Sequence, residues 1–137
     1  MKQENEDIAR KMQYILNMRP VFNQALFSDG TRYYRNPTEP KSGEKVIISF
    51  RTQKNNVDAV YLVSGDQKYK MKVYKTTKGF DYYGTKIVMP EEIFRYHFEI
   101  QYGWATCYYT EQGVCSELQE WAQFEIYPNY HTPDWAK

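Results

Sequence analysis

Hydrophobic and polar residues alternate along most of this chain, most clearly from Phe94 to Tyr102. Alternation with a period of two is typical of a strand with one buried face. Gly103 interrupts the pattern, and residues 105–110 then form a second stretch rich in β-branched and aromatic residues, so the pair predicts an antiparallel hairpin that ends near Gly113. The predicted core face of the first strand consists of Phe94, Tyr96, Phe98, Ile100 and Tyr102.

Short strands separated by turn residues are predicted along the rest of the chain from Val21 onward. A loop rich in Pro, Ser and Gly is predicted at residues 36–44. About eight strands at this spacing favour an all-β fold, an antiparallel β-sandwich. The other predicted strands are 25–28, 31–35, 44–53, 57–65, 68–75, 80–90 and 122–128.

The predicted strand 68–75 shows a regular alternation of its own. Tyr69, Met71 and Val73 are expected to point inward, and four lysines are expected to point outward. Lysines on an exposed strand discourage pairing with another chain, so we expect this strand at the edge of a sheet.

The first twenty residues differ from the rest because their apolar residues are spaced as in a helix. Ile8, Met12, Ile15 and Leu16 form one stripe, and Pro20 ends it. We therefore expect a short N-terminal helical extension at 1–20, ahead of a β-sandwich domain at 21–131.

Charge and composition narrow the possible partners. The 18 basic and 17 acidic residues give a net charge of +1, which argues against a nucleic acid or an anionic membrane as partner. The start of the chain resembles no signal peptide and no apolar run could span a membrane, so we expect a cytoplasmic protein. Cys107 and Cys115 are then expected to be free thiols, with a disulfide as the less favoured alternative.

No motif for catalysis, metal binding or cofactor binding is found. The adjacent carboxylates of Glu91 and Glu92 would point to opposite faces of a strand and are expected to be solvated. A pair of His97 and Cys107 across the hairpin is conceivable, but a surface histidine is favoured because no third group would orient it. We therefore expect no catalytic residue, no metal and no cofactor in this chain.

The aromatic content is unusual, with 14 tyrosines, 7 phenylalanines and 3 tryptophans. Flat rings stack on sugar rings, so a carbohydrate ligand is one interpretation of this excess. The other is structural: the hairpin aromatics form the core, while Trp121 and Trp135 pack against neighbouring domains. The candidate sugar-binding residues, chosen for expected exposure, are Tyr33, Tyr34, Trp104 and Tyr108.

Four segments in order resemble the N-terminal domain of neopullulanase, cyclomaltodextrinase and maltogenic amylase type enzymes of glycoside hydrolase family 13. That domain is carbohydrate-binding module family 34. The resemblance covers residues 21–137 and departs from the family pattern at Tyr83 and Val114. Its motifs are Phe80-Asp81-Tyr82-Tyr83, Arg95-Tyr96-His97-Phe98, the turn Tyr109 to Gly113, and Thr132-Pro133-Asp134-Trp135.

The resemblance implies an immunoglobulin-like sandwich that is not itself an enzyme. It also implies that 132–137 is the junction to a catalytic (β/α)8 barrel absent from this chain, in a parent that hydrolyses α-glucans. The domain would bind α-glucan oligosaccharides, or form a homodimer and close the active site, and the sequence leans toward the interface. A stand-alone immunoglobulin-like interaction module without a sugar ligand is the alternative.

Overall fold

The computed structural model describes residues 25–129, which form ten strands in two antiparallel sheets. Most strands are short and alternate buried with exposed side chains, as the sequence predicts. The strands are β1 (Arg35–Asn36), β2 (Lys45–Gln53), β3 (Ala59–Ser64), β4 (Gln67–Lys70), β5 (Lys72–Thr77), β6 (Phe80–Val88), β7 (Phe94–Tyr102), β8 (Ala105–Thr110), β9 (Gly113–Cys115) and β10 (Phe124–Ile126).

The two sheets differ in size and connectivity. The first sheet has the order β1-β2-β6-β5, and the second has the order β4-β3-β7-β8-β9, with β10 paired to β7. All pairings are antiparallel. The predicted all-β sandwich is therefore confirmed, although it has ten strands in the described part of the chain rather than about eight.

The predicted hairpin lies at the centre of the second sheet. β7 lies between β3 and β8 and also pairs with β10. Its predicted inward residues from Phe94 to Ile100 are buried, and Tyr102 is half-buried.

Aromatic contacts join the two sheets across the core. The rings of Phe50 on β2 and Phe98 on β7 are 4.7 Å apart, and Tyr109 on β8 packs edge-on against Phe50 at 5.3 Å. Such ring pairs add to the large apolar area that these side chains remove from water. The aromatic residues of the hairpin are thus mainly core, as the structural interpretation requires.

The predicted strand 68–75 is wrong as a single strand because the chain changes sheets at Met71. Met71 is buried, and its backbone N–H donates to the carbonyl of Val60. β4 before it is the edge of the second sheet, and β5 after it is the edge of the first. Val73 is 46% exposed rather than buried, since β5 covers no core. The lysine-rich strands do lie at sheet edges, as expected.

Two other strand predictions near the start of the described chain are wrong. Residues 31–34 form a turn in which the N–H groups of Tyr34 and Arg35 both donate to the carbonyl of Thr31. The stretch 25–28 makes a single bridge, between Phe27 and Arg51. The Asp29 carboxylate accepts from the backbone and hydroxyl of Thr31, a local bond that competes with extended structure.

Two predicted segments, the helix at 1–20 and the junction at 132–137, lie outside the described residues. Between 25 and 129, no helix is both long and apolar enough to cross a membrane. The predicted loop at 36–44 is confirmed, apart from Asn36 in β1. The connection before the last strand contains one turn of 3₁₀-helix at Glu120–Ala122.

Candidate functional site

The outer face of the first sheet forms a groove of about 450 Å³. Paired residues of antiparallel strands share a face, so two rows run across the sheet. One row contains Ile47 and Lys86, and the next contains Ser49, Gly84 and Lys72. The groove is lined by Arg32, Tyr33, Arg35, Asn36, Ile47, Ser49, Lys72, Tyr74, Gly84, Thr85 and Lys86.

Tyr74 lies across the floor of this groove because Gly84 has no side chain. A Cβ atom added to Gly84 would be 2.9 Å from Cδ1 of Tyr74, which is closer than packed atoms approach. The pairing of β5 with β6 is irregular between Val73 and Lys75, which places Tyr74 at the irregularity. Its hydroxyl donates to Oγ of Ser49 at 3.3 Å, and the side chain remains 55% exposed. A flat aromatic ring is thereby presented to solvent.

Tyr33, in the turn that precedes β1, also lines the groove. It is 70% exposed, and the Arg32 guanidinium lies 5.2 Å from the centre of its ring. Nη2 of Arg32 also donates to the Tyr33 hydroxyl at 3.3 Å. The arginine therefore lies over one face of the ring, and most of the Tyr33 side chain stays exposed.

A second hollow of about 510 Å³ shares Tyr33 and Tyr74 with the groove. Tyr34 and Tyr82 line it, and the rings of Tyr74 and Tyr82 are 6.4 Å apart. Burial raises the pKa of Tyr34, and the nearby charge of Arg51 opposes this rise. Tyr34 therefore stays a neutral hydroxyl that can donate or accept a hydrogen bond.

Arg35 lies behind the groove and connects the two sheets. Its Nε and Nη2 donate to the Tyr96 hydroxyl on β7 at 3.1 and 2.8 Å. Burial raises the pKa of Tyr96, although the charge and hydrogen bonds of Arg35 oppose the rise. Tyr96 is thus a neutral acceptor for a buried cation, and this contact holds β1 against the core.

The four sugar-binding candidates do not lie together. Tyr33 and Tyr34 line the hollows of the first sheet, whereas Trp104 lies in the β7–β8 turn and is half exposed. Tyr108 lies on the outer face of the second sheet, paired with Glu99, with its ring 5.9 Å from that of His97. The candidates thus divide into one pair at the groove and two residues elsewhere.

His97 is not a surface histidine, so that prediction is wrong. It is 4% exposed, and its Nδ1 lies 2.9 Å from Oε1 of Gln123. Cys107 faces the core opposite Ile100, whereas His97 lies on the outer face, so the conceivable Cys–His pair is not formed. Burial raises the pKa of Cys107 to about 11, which makes it a poor nucleophile. Both cysteines are thiols in the structure.

Groups that could bind a metal are not found in the described part of the chain, where no three His, Cys, Asp or Glu residues cluster. Glu91 and Glu92 are both exposed in the connection before β7. No residue pair in the groove matches the two facing carboxylates that hydrolysis of a glycosidic bond requires.

The sequence reasoning missed Tyr74 and Gly84. Tyr74 is two residues after Lys72, so in a strand it shares the outward face with that lysine. It is the aromatic residue on the outward face of the segment 68–75. Gly84 interrupts a strand rich in tyrosine, and a glycine inside a strand often marks a close approach by another group. Read together, these two signals could have located the groove.

Comparison with known proteins identifies the domain. Residues 36–130 match the family model described as "Alpha amylase, N-terminal ig-like domain". A cyclomaltodextrinase structure is similar at 25% identity with a TM-score of 0.66, covering 78% of this chain and 19% of that one. The maltogenic amylase from S. marinus is similar at 13% identity with a TM-score of 0.62, covering 77% of this chain and 14% of that one.

The similarity to the maltogenic amylase shows the fold alone, because its identity is low. The chain spans less than a fifth of the length of either enzyme. The family match covers more than half of the chain and includes β2 to β10, and it agrees with the sandwich described above. The chain therefore belongs to the family of noncatalytic, immunoglobulin-like N-terminal domains of α-amylases.

Proposed function

We propose that this domain binds α-glucan oligosaccharides in the groove of the first sheet, as an accessory to a catalytic barrel that follows it. The observation that carries the proposal is that two exposed rings, Tyr33 and Tyr74, line the same groove together with polar side chains. Such a parent would be a glycoside hydrolase acting on starch or maltodextrins, like the enzymes to which the domain is similar. A cytoplasmic location stays a prediction.

The chemistry of the lining supports a sugar ligand. The CH-rich face of a glucose ring can stack on Tyr74, while the side chain of Asn36 can bond its hydroxyls. The groove is open at the surface, which suits a chain that extends beyond the bound part. Tyr34 and Tyr82 in the adjoining hollow would extend the site to a further sugar unit.

Calorimetric titration of the 137-residue chain with maltoheptaose tests this proposal. We expect weak binding that Tyr74→Ala or Tyr33→Ala lowers about three- to tenfold, the loss of one aromatic contact. Trp104→Ala is the matched control, since Trp104 is a similarly exposed ring away from the groove. Equal losses for all three variants, or no binding at millimolar sugar, would contradict the proposal.

An interface role is the second candidate, and Trp121 favours it. This side chain lies in the 3₁₀ turn before β10 and is 75% exposed, which is unusual for so large an apolar ring. The residue would pack against the barrel or a second subunit and so contribute to dimerisation and active-site closure.

Sedimentation of the full-length protein tests whether this domain contributes to a dimer interface. We expect the full-length protein to be a dimer. Removal of residues 1–131 should dissociate this dimer, and Trp121→Ala should weaken it. A protein that remains a dimer after the removal would exclude this domain from the dimer interface.

A further inference from the structure

The groove carries a concentration of positive charge that the near-neutral chain does not suggest. Arg32, Lys72 and Lys86 line it with exposed side chains, and the buried Arg35 lies behind them. Within residues 25–129, no Asp or Glu lines this groove. The net charge of +1 for the whole chain therefore conceals a local excess of cations.

Charges elsewhere on the domain are arranged differently. The salt bridges between described residues are Lys68 with Glu99 and Arg95 with Glu125, and both lie on the second sheet. The cations of the groove take part in neither. A cation that no carboxylate neutralises remains available to an anion from outside.

Lys72 and Lys86 are placed so that both can reach one anionic group. Lys72 on β5 pairs directly with Gly84 on β6, and Lys86 is two residues further along β6 on the same face. This is the diagonal relation across adjacent strands, with Cα atoms about 7–8 Å apart, within reach of long side chains. Gly84 itself contributes no side chain between them, and the Tyr74 ring lies against it.

We propose that the groove selects an α-glucan that carries a phosphate monoester, with the sugar ring on Tyr74 and the phosphate between Lys72 and Lys86. This inference rests on the proposed function and specifies its ligand. A phosphate carries about −1.5 to −2 charges at neutral pH. A ligand group with that charge matches two or three cations better than a carboxylate group, which carries a single charge. Arg32, beside Tyr33, provides a third cation at the edge of the same groove.

Titration with four probes tests the proposal. These are maltoheptaose, maltoheptaose with one phosphate monoester, inorganic phosphate, and a single-stranded oligonucleotide. We expect the phosphorylated sugar to bind at least about tenfold more tightly than the neutral one, because two charge-assisted hydrogen bonds are gained. Added salt should reduce this preference, since the groove is open to solvent.

The double variant Lys72→Gln/Lys86→Gln should abolish the preference, so that the phosphorylated and the neutral sugar bind about equally. Lys41→Gln/Lys70→Gln is the matched control, because both lysines are exposed away from the groove and the total charge changes equally. The control should retain the full preference. A preference that both double variants lose would overturn the proposal, because it would then follow total charge.

The remaining outcomes separate this inference from the function on which it rests. Equal binding of both sugars would overturn the inference and leave glucan binding intact, whereas binding of neither would overturn both. Inorganic phosphate or the oligonucleotide binding as tightly as the phosphorylated sugar would also overturn it, since the sugar would then contribute nothing.

Discussion

The two outer faces of this sandwich are built from similar residues but use them differently. On the second sheet, Lys68 is 2.7 Å from a Glu99 oxygen and 4.3 Å from the centre of the Tyr61 ring. The ammonium group and the ring therefore both have partners on the same face. On the first sheet, Lys72 and Lys86 face a groove without carboxylates, beside the open ring of Tyr74. The same residue types thus form a closed network on one face and an open site on the other.

This difference follows from strand position as much as from composition. The central strand of the second sheet is β7, whose polar side supplies Glu99, and this carboxylate accepts from Gln101 on the same strand and pairs with Lys68 on β4. On the outer side of the first sheet, β5 and the turn before β1 line the groove, and the Tyr74 ring takes the place that a side chain at position 84 would occupy. We infer that the second face contributes mainly to stability and the first mainly to binding.

The largest effect on stability is expected where the two sheets are joined, at Tyr96. Tyr96→Phe removes the hydroxyl that accepts two hydrogen bonds from the buried Arg35. The free energy of unfolding should fall by about 2–3 kcal/mol, because a buried cation loses its acceptor. Urea denaturation measures this, with Tyr127→Phe, half exposed, as the control. A loss as small as that of the control would show that water replaces the hydroxyl.

The next largest effect is expected on the second face, at Gln123. Gln123→Ala leaves Nδ1 of the buried His97 without its partner and should lower the free energy of unfolding by about 1–2 kcal/mol. Gln112→Ala, at an exposed turn, should change it little. If both variants unfold alike in urea, the second face is less important for stability than we infer.

A smaller effect is expected at Glu99 and should depend on pH. Burial raises the pKa of Glu99, but hydrogen bonds from Lys68 and Gln101 outweigh it, so the pKa lies below its ordinary value of 4.5. The ionised form therefore favours the folded state above that value, and protonation at lower pH removes the benefit. Glu99→Gln should cost less than about 1 kcal/mol at pH 7. The difference between the two proteins should close as the pH falls below 4.5; a difference independent of pH would contradict this account.

The smallest effect on stability is expected from the first face. Lys72→Gln/Lys86→Gln should change the free energy of unfolding by less than about 0.5 kcal/mol, because exposed lysines without partners contribute little. Thermal unfolding followed by circular dichroism measures this. A marked destabilisation would mean that these lysines are structural, and it would weaken their assignment to a ligand.

Much of the fold could be predicted because side-chain alternation reports directly on burial. The period-two pattern of β2, β6 and β7 places their core residues correctly, since a strand in one layer of a two-layer sandwich buries every second side chain. The same rule fails at Met71, where alternation continues through a point at which the chain changes sheets. It also fails at Thr31, where a local bond from Asp29 favours a turn over a strand.

The candidate site was harder to predict because it depends on residues distant in sequence. Tyr33 and Tyr34 were identified by aromatic character, yet their neighbours Tyr74 and Gly84 lie on β5 and β6. Nothing local to residue 97 indicates that Gln123 covers His97, since their contact spans 26 positions. Pairing register brings these groups together, and register is specified by the whole sheet.

The most direct test of the central claim is a map of backbone amide NMR shifts during titration with maltoheptaose. We predict that the largest shifts fall on the first sheet, around Ile47, Gly84, Thr85 and Lys86, and that they saturate together. Shifts centred on the second face, around Glu99 and Tyr108, would contradict it, and so would the absence of shifts at millimolar sugar.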